Sequence, residues 1–294
     1  MLIGQYVALT FRQAPSKFDG LSDEAAISLL EAYDFAPGQN FMSISGMETP
    51  VWRLSPDTVF KCLYNFEGLS CEPYIMDLVY AQTTIPTPRI RKCVMWHDAL
   101  YVFMEYIEGT DLAVAWPNLG WRKRLRIIWK LRTYVAQLRK VEVPDVPGRL
   151  DGTGRPLRCI GHFFTDDGAG PFASYAAMSA WFASKRRISI ALEKWRATQR
   201  GKSYTSPDFR FDESMPLVLT HGDISLNNVR IGTDGTVWLL DWGRAGVYPR
   251  WFEYAAMMTY KDFLGQTPRS WLRLAPFVAG WYTLREVNPV IVSV

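Results

Sequence analysis

The chain has 294 residues, 48% of them hydrophobic, so it can bury a substantial core, and its length predicts one or two domains. A net charge of +4 is too small for an electrostatic nucleic-acid binder, and no apolar run approaches a membrane span or the core of a signal peptide. The four cysteines, Cys62, Cys71, Cys93 and Cys159, lack the short paired spacings of zinc or disulfide sites, which predicts a reducing, cytoplasmic setting.

In chain order, residues 58–64 (Thr-Val-Phe-Lys-Cys-Leu-Tyr) predict a strand with one cation, Lys61, sharing its face with Val59 and Leu63. Alone, such a lysine reads as one that snorkels to water at a sheet edge. A helix is expected next, with Pro73 at its first position and Glu72 at its cap. Glu72 precedes Ile75 by three residues and Val79 by seven, so it shares their face, whereas Asp77 points the other way. After Thr84-Ile-Pro-Thr-Pro-Arg89, residues 101–109 read as a buried strand that passes through Met104, Glu105 and Ile107 into a polar turn at Gly109. Residues 121–140 predict a basic amphipathic helix, with Leu125, Ile128, Val135 and Leu138 on one face and Arg122, Lys123, Arg126, Lys130 and Arg139 elsewhere. Such a helix can lie on a membrane, but the expectation is one buried face, one solvated face and no membrane partner. His97 and His162 have no second ligand at metal spacing and read as surface or packing residues.

The chemistry concentrates in Leu219-Thr-His-Gly-Asp-Ile-Ser-Leu-Asn-Asn228 and Leu239-Leu-Asp-Trp-Gly243. Between them, residues 229–231 and 236–240 are β-rich, and Asp234-Gly235 signals a two-residue hairpin. Counting outward from that turn pairs Ile231 with Trp238 and Asn228 with Asp241. Directly opposed residues have Cα atoms about 5 Å apart, so the two oxygen-bearing side chains could share one small cation. Hard cations such as Mg²⁺ take few protein oxygens and leave their other positions to water and phosphate. Asp223 stands where the apolar run 217–219 gives way to a loop. Unit charges 4 Å apart at an effective dielectric of 20 repel by about 4 kcal/mol, a penalty that a divalent cation between two carboxylates removes.

At these residues the chain resembles the superfamily in which protein kinases and aminoglycoside phosphotransferases share a fold. His221-Gly-Asp223, four residues, Asn228, then Asp241-Trp-Gly243 follows the grammar of the kinase catalytic loop and metal-binding motif. Gly222 is the form typical of the aminoglycoside and choline kinase branch, and residues 237–254 look like the fungal group of phosphotransferase-family proteins, many of which carry Glu where this chain has Gly243. The resemblance implies an α+β, two-lobed protein-kinase-like fold. Residues 1–106 would form a small antiparallel-sheet lobe and 107–294 a larger, mainly helical one. It implies ATP and Mg²⁺ as cofactors, with Lys61 steadying the α- and β-phosphates, Glu72 pairing with Lys61, and Asn228 and Asp241 holding the metal. The backbone of Glu105 and Ile107 would meet adenine, with Met104 at the back of the pocket. Asp223 would orient the acceptor hydroxyl and take its proton, and His221 would brace the loop. Residues 43–47 (Ser-Ile-Ser-Gly-Met) lie where a phosphate-covering loop belongs.

The implied activity is transfer of the ATP γ-phosphoryl group to a hydroxyl of a small-molecule metabolite. Carboxylates that could hold a cationic aminoglycoside, Asp166, Asp167, Asp208, Asp212 and Glu213, are interspersed with Arg and Lys, so antibiotic modification is not predicted. A catalytically degenerate nucleotide-binding protein is the alternative. A protein kinase fits less well, because residues 241–249 are too few for a regulatory activation loop.

Overall fold

The computed structural model describes residues 15–36, 40–42, 48–64, 71–161, 163–164, 168–205, 213–259 and 267–282. Residues 43–47 and His162, singled out above, lie outside them, as do Asp166, Asp167, Asp208 and Asp212. The chain divides into two compact units, the first drawn from residues up to 119 together with 226–242, the second from 120–225 and 243 onward.

In the first unit, β1 (Asn40–Met42), β2 (Glu48–Ser55), β3 (Thr58–Leu63), β4 (Ile90–Trp96) and β5 (Ala99–Glu105) form an antiparallel sheet in the order β1-β2-β3-β5-β4. Alternation along β3 sends Phe60 and Cys62 to one face and Lys61 to the other. On the Phe60 face, α1 (Asp23–Glu31) contributes Ala26 and Leu30 to a cluster with Tyr101 and Phe103. The Ser22 hydroxyl starts that helix by accepting the Ala25 N–H at 3.1 Å. Phe60 and Phe103 are fully buried, each contributing about 2 kcal/mol of apolar burial.

The other face receives α2 (Cys71–Gln82), whose Glu72, Ile75, Met76 and Val79 are buried. The helix begins at Cys71, so Glu72 and Pro73 lie within its first turn rather than at its cap and first position. Proline is tolerated there because the first N–H groups have no intrahelical acceptor to lose. A second sheet joins β6 (Gly109–Asp111), β8 (Val229–Gly232) and β9 (Val237–Leu239) in the order β6-β8-β9, with α3 (Leu112–Ala115) following β6. The Leu239 N–H donates to the Pro86 carbonyl at 3.0 Å, which ties the hairpin to the proline segment before β4.

The second unit holds α4 (Trp121–Leu138), α5 (Tyr175–Gln199), the antiparallel pair β7 (Leu217–Thr220) and β10 (Gly246–Pro249), then α6 (Phe252–Thr259) and α7 (Arg269–Ala279). Its core gathers Phe163, Phe164, Phe172, Phe182, Tyr248, Trp251 and Phe252, with Tyr248 stacked on Phe252 at 5.1 Å. α7 packs on both α4 and α6. Along α4 the buried residues are Ile127, Ile128, Leu131, Tyr134, Val135 and Leu138. Leu125, grouped with that face by spacing, is instead 48% exposed, because the apolar pattern of this helix contains two stripes rather than one.

Candidate active site

Lys61 is held by two carboxylates in the first unit. Its Nζ donates to both carboxylate oxygens of Glu72, at 2.8 and 2.9 Å, and to Asp241 Oδ1 at 2.8 Å. The Glu72 carboxylate also accepts the backbone N–H of Trp242. Burial alone would lower the Lys61 pKa, but Asp241 and then Glu72 outweigh it and hold the ammonium above the ordinary lysine range. The strand-and-helix geometry expected for Lys61 and Glu72 is therefore present as a contact, and Asp241 joins it.

Asp241 arrives there by a different register from the one counted on the sequence. Val229 pairs with Leu239, Arg230 with Trp238 and Ile231 with Val237, one residue off the expected pairing. The connection is a three-residue loop of Thr233, Asp234 and Gly235, closed by the Gly232 N–H on the Thr236 carbonyl at 2.8 Å. Gly235 has φ +83, the left-handed residue such a loop needs. Asn228 consequently lies opposite Leu240, whose N–H donates to its carbonyl at 2.9 Å, and Asp241 falls just beyond the ladder. With φ +60, Asp241 turns there into the left-handed region, and its side chain remains 50% exposed. One carboxylate and one amide oxygen are the hard donors that suit Mg²⁺, whose remaining positions phosphate and water would fill.

Met104 and Glu105 end β5, both buried, and Ile107 follows, 5% exposed. The Glu105 N–H donates to the Arg89 carbonyl at 2.9 Å, so it is not available to a purine. The Ile107 carbonyl accepts from Arg230 Nη1 at 3.0 Å, while its N–H has no partner among the described residues and could serve an adenine ring. Arg230 also bonds Asp111 at 2.7 Å. Sequence reasoning passed over Arg230 as one residue of a β-rich run, although a lone cation between Val229 and Ile231 was the available signal.

In the second unit, Asp223 is 8% exposed, and Arg244 Nη1 lies 3.3 Å from its Oδ2. The Asp223 N–H donates to His221 Nδ1 at 3.2 Å, so His221, fully buried, braces the loop as an acceptor. Gly222 has φ +75, and a Cβ there would stand 2.9 Å from the Arg244 carbonyl oxygen. Both facts require glycine where a protein kinase has arginine. Glu253, at the start of α6, accepts the His221 N–H at 2.7 Å and the Gly222 N–H at 3.2 Å. Burial pushes its carboxyl up to about 7 against the pull of those donors. Neither Arg244 nor Glu253 was found from the sequence, though an acid inside the apolar run Trp251-Phe-Glu-Tyr-Ala-Ala-Met-Met258 was a sign of a buried partner. His97 is exposed in the β4–β5 turn, as expected.

A family model described as the phosphotransferase enzyme family matches residues 66–286. No curated protein sequence matches the chain. Among solved structures, the gentamicin complex of APH(2")-IIa is similar at 14% identity and a TM-score of 0.51, over 92% of this chain and 84% of that one. A ternary complex of a thermostable mutant of aminoglycoside phosphotransferase APH(4)-Ia with ADP and hygromycin B is 14% identical, with a TM-score of 0.46 over 80% and 76% of the two chains. A fructosamine-3-kinase described as putative, from Haemophilus somnus 129PT, is 10% identical, with a TM-score of 0.44 over 80% and 73%. The first likeness shows a protein-kinase-like α+β fold.

Proposed function

The chain belongs to the phosphotransferase enzyme family, and from that premise we propose that it moves the γ-phosphoryl group of ATP, with Mg²⁺, to a hydroxyl of a small-molecule metabolite. The observation that carries this reading is Lys61 fixed between Glu72 and Asp241, each contact at 2.8 Å. A lysine paired in this way is a pre-oriented phosphate ligand, with its ammonium kept charged.

Lys61 would bind the α- and β-phosphates, and the Ile107 N–H the adenine edge. Asn228 and Asp241 would hold Mg²⁺, which when bound neutralises charge on the β- and γ-phosphates. Asp223 would accept the proton of the acceptor hydroxyl and aim its oxygen, since phosphoryl transfer asks mainly for positioning and charge stabilisation. His221 and Glu253 keep the Asp223 backbone segment in place through their bonds to residues 221–223. Arg244 beside Asp223 puts a positive charge next to the base, which weighs against a polycationic aminoglycoside and favours a neutral or anionic hydroxyl compound.

Thermal unfolding with ATP, with and without Mg²⁺, tests the nucleotide half: a Mg-dependent rise in Tm is expected for the wild type and not for Asp241→Ala. Asp223→Asn should keep that rise and lose about 100-fold or more of phosphoryl transfer to whichever acceptor the wild type uses. Wild-type turnover by Asp223→Asn would remove the base from the mechanism.

A further inference from the structure

We infer that the outward face of α4 docks on an anionic phospholipid surface. Its inner face, Ile127, Ile128, Leu131, Tyr134, Val135 and Leu138, is already buried in the core of the second unit. A second apolar stripe points away from the core: Trp121, Leu125 and Trp129, at four-residue spacing, are 67%, 48% and 67% exposed. Neither the core nor helix propensity accounts for two exposed indoles on one stripe.

The charge on the same helix decides what would cover that stripe. Across Trp121–Leu138 there are six cations, Arg122, Lys123, Arg124, Arg126, Lys130 and Arg132, and no acidic residue. Arg122, Lys123, Arg126 and Lys130 are exposed and flank the tryptophan stripe. Arg122 and Lys123 sit in the first turn, where the positive end of the helix dipole makes cations unfavourable, and no acid there offsets them. An anionic surface relieves that arrangement. α7 extends the apolar area: its Phe277 and the following Trp281 are 47% and 71% exposed, with rings 5.3 Å apart, and Arg132 Nη1 donates to the Phe277 carbonyl at 2.8 Å. Indoles and leucine bordered by Lys and Arg along one helix are the composition of an interfacial helix lying flat in the headgroup layer. A second copy of this chain does not fit, because α4 against α4 would oppose six cations with six more.

The test is co-sedimentation of the full chain with vesicles of phosphatidylcholine alone and of phosphatidylcholine with about 30% phosphatidylserine. Binding is expected only to the anionic vesicles, and to weaken as salt is raised. Each cation near such a surface contributes about fivefold in partition, so Arg122→Gln with Arg126→Gln should lower binding about 25-fold. Trp121→Ala with Trp129→Ala should lower it at least about tenfold. An unchanged Tm in both double variants shows that each is folded. Absence of binding to either vesicle, or binding indifferent to both pairs of substitutions, would overturn the proposal. Capture by polyglutamate without vesicle binding would also overturn it and assign the face to an acidic polypeptide.

Discussion

Replacing Glu253 by Gln gives a signature that depends on pH. The carboxyl is 2% exposed, and burial raises it from its ordinary 4.5 to about 7. Between those two values the native chain holds a proton that the unfolded chain has released, so the native state binds more protons and stability falls as pH rises. Below about pH 4.5 both states carry the proton and the difference vanishes, and above about pH 7 the full penalty of a buried charge is present. The interval between 4.5 and about 7 corresponds to about 3 kcal/mol. Gln keeps the shape and one acceptor oxygen for the His221 N–H but sets an NH₂ against the Gly222 N–H, which costs about 1–3 kcal/mol. The variant should therefore be the less stable protein at about pH 5, and the gap should close by about 3 kcal/mol by about pH 8, roughly 5 to 10 °C in Tm. Thermal unfolding of both proteins across that range measures it. Parallel Tm curves with a constant offset would mean that Glu253 does not titrate in the window, and the reasoning from its burial would fail.

Lys61→Met leaves the Glu72 carboxylate buried beside Asp241 without its cation, so a loss of about 3 kcal/mol is expected, together with loss of the Mg·ATP-dependent rise in Tm. Because unpaired Glu72 can relieve the charge by taking a proton, that loss should be smaller at about pH 5 than at about pH 8, read from denaturant midpoints. Gly222→Ala forces φ +75 on a residue with a Cβ and drives that carbon toward the Arg244 carbonyl oxygen. About 2 kcal/mol of destabilisation is expected, with Mg·ATP binding retained because Lys61, Asn228 and Asp241 are untouched; an equally stable Ala variant in urea melts would contradict the close approach.

What the sequence carries most legibly is local. Alternation along residues 58–63 puts Lys61 on its face, and helical spacing puts Glu72 with Ile75 and Val79, so their pairing follows from two short periodicities and one contact. The hairpin was legible in outline but not in register. Asp234-Gly235 admits both a two-residue and a three-residue loop, and the longer one moves every pair by a single position. Glu253 and Arg244 reach Asp223 and its neighbours through folding of β7, β10 and α6, with separations of about 20 to 30 residues that no local period encodes. On α4, Leu125 satisfies the spacing of the buried stripe and of the exposed one, and the packing of α7 and β7 against the helix selects between them.

Arg230 gives the hairpin a mechanical role. It stands in β8, two residues beyond Asn228, and its guanidinium grips the Ile107 carbonyl and Asp111 while the return strand β9 leads through Leu240 to Asp241 at Lys61. A single β-ribbon thus spans from the backbone that would face a purine to the side chains that would face its phosphates. On the proposed reading it is a caliper for the nucleotide, set by strand rise rather than by side-chain reach. Bending elsewhere in the chain would leave its gauge length unchanged, and a substitution at Arg230 would detune the grip on the base without removing a single phosphate ligand.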